Sequence, residues 1–257
     1  MARLFTAASN EYAKTANAVA SVVPLSMACW VRLAAVGTVA RIIMEIRNSA
    51  SVTGRNCWSL RMSDTEKVRA LTADASAASF NDTTASLVAG EWAHVAAVFE
   101  DASHRVPYLN GTAGANTTSA KTPVGPNVTD IGIAEISSGS LSLPWGGDIF
   151  MPAAWAGVAL TADDIAALAA GYAPWCVRPD ALVFAPPFHG NASPEPDPVG
   201  RFDLTLVGTS KTADPPRIIQ PRRSRIYAAP AAVVGGRMLW HPGMEGGMRS
   251  LTGGING

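Results

Sequence analysis

Charge is scarce in this sequence: only 16% of its 257 residues are charged, and twenty basic side chains balance twenty acidic ones. Nucleic acid and anionic membranes both demand a basic surface, so neither is expected as a partner. Cysteine is nearly absent. Cys29, Cys57 and Cys176 are an odd number at wide spacing, which gives neither a metal-ligand pair nor a disulfide framework. Each adjoins a tryptophan (Trp30, Trp58 and Trp175), and buried structural thiols are the expectation. Long apolar runs are missing too. The most apolar stretch, Ala18 to Val36, is broken by Ser21, Pro24, Ser26 and Arg32, so membrane insertion is not expected. Met1 to Thr6 shows no charged region leading into an apolar one, as a signal peptide would.

Catalytic patterns are equally lacking. There is no Gly-x-Ser-x-Gly elbow, phosphate loop or paired-histidine zinc motif, and His94, His104, His189 and His241 lie far apart. Cleavage of a glycosidic bond needs two carboxylates flanking it, but no alternating Glu-x-Asp-x-Glu strand occurs. Asp163 and Asp164 stand at a helix start, where carboxylates favour the helix dipole. Asp180, Glu195 and Asp197 fall in turn-like, proline-rich sequence and read as solvated loop charges. An enzyme is not expected.

What is present is a β pattern. Short apolar runs are separated by Gly, Pro, Asn, Asp and Ser, as in a sandwich or barrel. Candidate strands are Ser26–Leu33, Arg41–Ile46, Cys57–Met62, Val68–Thr72, Trp92–Phe99, Arg105–Leu109, Asp130–Ile133 and Ile149–Ala156, followed by Leu182–Phe184 and Phe202–Gly208. In Trp92–Phe99 the side chains of Trp92, His94, Ala96 and Val98 point one way, and those of Ala93, Val95, Ala97 and Phe99 the other. Asn110-Gly111 is a strong turn signal because both residues tolerate positive φ. Pro107 suggests an edge or a bulge. One short helix is expected: Thr161 caps it, Asp164 completes a capping box, and Gly171 stops it.

These residues carry a resemblance. Pro24-Leu-Ser-Met-Ala-Cys-Trp-Val-Arg32, then Trp92-Ala-His-Val-Ala-Ala-Val-Phe99 with Tyr108-Leu-Asn-Gly111, then Gly147 to Trp155 running into Ala159–Ile165 and Leu168, resemble in order three signatures of concanavalin A-like and laminin-G-like jelly rolls. The resemblance implies an all-β, two-sheet antiparallel jelly-roll sandwich with one short helix. The sandwich is assigned to residues 1–212, and an extended, basic and then Gly/Met-rich C-terminal arm to residues 213–257. Many such proteins carry acids after the closing glycine that support calcium. Phe150 and Met151 stand there in this chain, so no cofactor is expected, calcium included. Asp130, Glu135 and Asp148 are the carboxylates left to assemble any other cation site. Trp30, Trp92 and Trp155 match core positions of the family. Trp145, in Leu143-Pro-Trp-Gly-Gly147, reads as a loop residue able to present its ring and is the candidate glycan contact.

The arm, with Arg222-Arg-Ser-Arg225 and Tyr227, is similar to the tails of small bacteriophage structural proteins. That similarity implies a non-enzymatic virion protein, capsid-decorating or tail-associated, assembled in the host cytoplasm. Its sandwich would face outward, and Arg222, Arg223, Arg225, Tyr227 and Trp240 would anchor it to its own copies and to other virion proteins. The alternative is a carbohydrate-binding or adhesin module engaging polysaccharide on a host surface.

Overall fold

The computed structural model describes residues 2–51, 56–116, 118–132, 134–137, 140–188, 193–200, 202–212 and 215–220. The proposed anchor residues Arg222, Arg223, Arg225, Tyr227 and Trp240 lie outside them, as does most of the arm.

The strands are β1 (Ala2–Phe5), β2 (Tyr12–Thr15), β3 (Leu25–Leu33), β4 (Arg41–Arg47), β5 (Cys57–Met62), β6 (Lys67–Ala73), β7 (Ala78–Ser86), β8 (Trp92–Phe99), β9 (Arg105–Leu109), β10 (Thr112–Ala113), β11 (Val128–Ile131), β12 (Ala134–Ser137), β13 (Ser140–Ser142), β14 (Gly147–Ala156), β15 (Leu182–Phe184), β16 (Thr205–Val207) and β17 (Ser210–Thr212). They form a jelly-roll sandwich of two antiparallel sheets. One has the order β10-β9-β8-β3-β14-β1-β17, with β15 also paired to β14; the other has the order β16-β2-β11-β4-β5-β6-β7. The hairpin β12–β13 stands apart. No helix among the described residues is long and apolar enough to cross a membrane.

Alternation along the strands builds the core. Leu25, Met27, Cys29, Val31 and Leu33 of β3 and Ala93, Val95, Ala97 and Phe99 of β8 face the second sheet, meeting Ile43, Ile46, Trp58, Leu60, Met62 and Val68. The opposite side of β3 and β8 packs under α1 (Ala162–Ala169), the one α-helix among the described residues, through Ala28, Ala96, Val98, Trp155, Ile165 and Leu168. The expected capping box is formed: Thr161 Oγ1 accepts from the Asp164 amide at 3.2 Å, and Asp164 accepts from the Thr161 amide at 3.0 Å. Arg178 also bonds Asp164, at 3.0 Å. Asn110 and Gly111 take the positive φ values of 48° and 82° that their turn requires.

Four expectations are corrected. Trp145 is fully buried in the intersheet core, where the loop after β13 folds inward and the Trp145 amide donates to Gly132 O at 2.6 Å. Neither face of its ring is open to a sugar. Cys176 is exposed, because it ends a single 3₁₀ turn at the surface; Cys29 and Cys57 are buried as expected. Glu195 and Asp197 are buried, not solvated. Glu195 pairs with Arg3 at 2.9 Å, and the Asp197 carboxylate accepts the amides of Ala185, Val199, Gly200 and Phe202, pinning the proline-rich loop to the sandwich. Asp130 and Asp148 belong to different sheets and cannot share a cation.

The outer face of the second sheet is an ionic ladder. Lys14, Asp130, Glu45 and Ser59 lie side by side across four strands. Arg47 bonds Asp130 at 2.6 Å, and Arg61 bonds Glu45 at 2.5 Å. Arg69 holds Asp82 through two bonds of 2.6 and 2.8 Å and lies 3.8 Å over the Phe80 ring.

Trp145→Ala is expected to cost about 3–5 kcal/mol in denaturant unfolding, the range for deleting a large core aromatic. Thr161→Ala should cost about 1 kcal/mol through the lost cap. Two buried groups act oppositely on acid stability. Burial pushes His94 down to about 3, against an ordinary 6.5. The unfolded chain therefore binds a proton there that the folded chain refuses, and stability is lost as pH falls through that window. Burial pushes Asp130 up to about 6, against an ordinary 3.8, with Arg47 pulling the other way. Its contribution favours the folded state at low pH and is lost as pH rises from about 4 to 6. Urea midpoints at pH 4 and pH 7 should show His94→Phe less acid-sensitive than the native chain and Asp130→Asn more so.

Candidate functional site

The first sheet presents its own outer face beside the part that α1 covers. Pairing fixes which residues meet there. Asp148, Arg32 and Trp92 form one row across β14, β3 and β8, and Phe150, Trp30 and His94 form the next. Each residue alternates with a core residue of its own strand, so core packing obliges these side chains to point outward.

The outcome is an aromatic platform edged by polar groups. The Trp30 and Trp92 rings are half-buried. Trp30 meets the His94 ring edge-on at 5.4 Å between centroids, and Trp92 meets Phe150 in the same manner at 6.5 Å. Arg32 donates to Asp148 at 2.8 Å while its guanidinium lies 5.2 Å from the centre of the Trp92 ring. Ala2, Met151, Ala173 and Ile218 fill the spaces around these rings.

Two polar atoms on this face are buried with no hydrogen-bond partner: His94 Nδ1 and Asp148 Oδ1. Buried polar groups are nearly always satisfied, and each exception asks for an explanation. The His94 imidazole stays neutral, because burial disfavours its charged form. Next to it a cleft partly open to solvent runs between Trp30, Met151, Tyr172, Pro174 and Ile218, with room for about one water-sized group. Tyr172 stands at its edge, 38% exposed.

The sequence alone does not mark these residues as a site. Trp30 and Trp92 were given core positions, whereas the structure puts only Trp155 of the three fully inside, its indole donating to Val177 O at 2.8 Å. The signal was available in the alternation. Trp92 and His94 share one side of β8, and Trp30 shares a side of β3 with Ser26 and Arg32, out of phase with Met27, Cys29 and Val31. Tyr172 had no signal, since only the turn after α1 brings it to the sheet. No group of three or more His, Cys, Asp or Glu side chains placed to hold a metal ion occurs among the described residues.

Solved structures of the same fold are similar at low identity. A candidate carbohydrate-binding protein from Bacteroides ovatus aligns over 85% of this chain and 61% of its own, with 20% identity and a TM-score of 0.59. A heptameric SAP-like pentraxin from Limulus polyphemus aligns over 65% and 81%, with 15% identity and a TM-score of 0.54. The CBM40 of the Ruminococcus gnavus IT-sialidase, bound to α2,3-sialyllactose, aligns over 58% and 84%, with 13% identity and a TM-score of 0.50. No curated protein matches the sequence. The family model of the concanavalin A-like lectin/glucanases superfamily matches residues 7–166, well over half of the 257. Two antiparallel sheets, one capped helix and that match together show that the chain belongs to the concanavalin A-like lectin/glucanases superfamily.

Proposed function

We propose that this chain is a non-enzymatic carbohydrate-binding domain whose sugar-binding face is the aromatic platform of Trp30 and Trp92. One observation carries the reading. Half-buried indole rings adjoin two buried polar atoms, His94 Nδ1 and Asp148 Oδ1, that the protein leaves without partners. A pyranose ring combines an apolar C–H face, suited to stacking on an indole, with hydroxyls that both donate and accept hydrogen bonds. Protein–ligand sites of this kind use a mainly apolar wall and a few placed polar groups. The carbohydrate-binding relatives of the fold agree with this class of ligand.

Absence of catalysis is part of the proposal. Asp148 is the carboxylate within the aromatic cluster, it is committed to Arg32, and glycoside cleavage would need a second. No metal is assigned to the face, because Phe150 and Met151 occupy positions where oxygen ligands would be required.

Assembly through the arm remains the second reading, and it has one structural foothold. The root of the arm is pinned to the turn after α1: the Ile219 amide donates to Gly171 O at 2.7 Å, and the Ala173 amide donates to Ile219 O at 3.1 Å. Neither the fold nor the relatives point to a virion.

A glycan array followed by calorimetric titration tests the main reading. Trp30→Ala and Trp92→Ala should each weaken binding by about tenfold or more, roughly 1.4 kcal/mol. Phe80→Ala, on the other sheet, should leave binding unchanged. Binding that survives both tryptophan changes, or is lost with Phe80, would overturn the site. Light scattering on the full chain and on a version ending at Gln220 addresses the second reading: a defined oligomer that becomes a folded monomer on truncation assigns assembly to the arm.

A further inference from the structure

Strand β14 is broken at the point where it passes the platform. Its pairing with β3 shifts register between Phe150 and Ala153, and Met151 there takes φ = 48°, in the left-handed region that a side chain bearing Cβ rarely adopts. Bulges re-aim side chains and are common next to binding sites. In this strand the bulge places Met151 on the wall of the cleft, whose lining also includes His94, Trp30, Tyr172, Pro174 and Ile218. The cleft is therefore built by a strained departure from regular pairing, and His94, whose Nδ1 is buried without a partner, is among its lining residues.

The lining is chemically one-sided. It contains no Lys, Arg, Asp or Glu. His94 supplies no positive charge, since burial pushes it down to about 3, and burial raises the Cys29 thiol, so that it supplies no negative charge. Arg32, the cation of the neighbouring row, is already bonded to Asp148 and stacked on Trp92. The cleft as a whole has room for about one water-sized group, the size of a hydroxyl.

Resting on the carbohydrate reading, we infer that this cleft receives an uncharged hydroxyl of the bound sugar, which bonds His94 Nδ1 and makes the site selective for neutral over acidic glycans. A neutral imidazole suits a hydroxyl, because a hydroxyl donates or accepts according to the ring's tautomer. A carboxylate entering the same space would lose its hydration and find no counter-charge, the costliest way to bury a polar group. Selectivity thus comes from what the cleft lacks, not from an added contact.

The experiment is an array of neutral oligosaccharides together with their sialylated and uronic-acid counterparts, bound to the full native chain at pH 5.5 and pH 7.5. Neutral glycans should bind about tenfold or more tightly than their acidic counterparts, at both pH values alike. His94→Phe should weaken neutral-glycan binding by about tenfold with the thermal melt retained. Ile218→Trp, which fills the cleft from a segment outside the sheet, should do the same and covers the case in which His94→Phe does not fold. Acidic glycans binding as well as neutral ones would overturn the inference, as would unchanged binding in a folded His94→Phe or Ile218→Trp chain, while the platform reading would stand on Trp30→Ala. Binding of no glycan at all would overturn both.

Discussion

The pleat of three adjacent strands governs this molecule. In β3 and β8 every second side chain is committed to the core between the sheets, and β14 follows the same rule up to its bulge. Met27, Cys29, Val31, Val95 and Ile149 are buried inward, so Trp30, Arg32, Trp92, His94 and Asp148 are forced outward. A slip of one residue in any of these strands would exchange the two sets and bury Arg32 and Asp148 among the apolar residues. The core therefore positions the candidate site, and the site costs the fold little beyond two unsatisfied polar atoms and the bulge at Met151.

The two outer faces resolve their polar groups differently. On the second sheet, arginines and carboxylates answer one another. Arg47 takes Asp130, Arg61 takes Glu45, and Arg69 takes Asp82 through a two-point contact, the geometry for which guanidinium and carboxylate are matched. On the first sheet, Asp148 spends one oxygen on Arg32 and keeps the other unused, and His94 keeps Nδ1 unused, both against aromatic rings. Both faces keep an unpartnered polar atom, Glu45 Oε1 on the second sheet and His94 Nδ1 and Asp148 Oδ1 on the first, but on the first these atoms belong to an aromatic cluster, the setting that suits a ligand.

Much of the architecture was legible along the chain. Cys57–Met62, Trp92–Phe99, Arg105–Leu109 and Leu182–Phe184 are strands within the limits that apolar runs and turn residues marked, and the Thr161–Asp164 box opens α1 as its spacing required. The strands that pattern did not mark share a cause. Ala78–Ser86 is a polar, largely exposed edge strand, held to β6 by pairs such as Arg69 with Asp82, and exposure on an edge leaves no apolar signature in the sequence. Tyr12–Thr15 and Ser210–Thr212 are too short for a period to register, whereas Thr205–Val207 lies within the marked run Phe202–Gly208. For the site, alternation already put Trp92 and His94 on one side of β8, yet family resemblance sent Trp30 and Trp92 to the core. Trp145 shows the reverse: flanked by Pro and Gly it reads as a loop tip, and long-range packing draws it inside.

The sequence by itself determined the fold class, many of the apolar strands, the hairpin of β8 and β9, and the helix with its cap, because period, turn chemistry and capping are local properties of consecutive residues. Only the tertiary structure decided which side of each strand faces the second sheet, that Glu195 and Asp197 are buried anchors, and that Met151 and Tyr172 close a cleft around His94. Those outcomes depend on groups brought together from distant parts of the chain, where burial and the presence or absence of a partner, rather than residue type, set what each side chain can do.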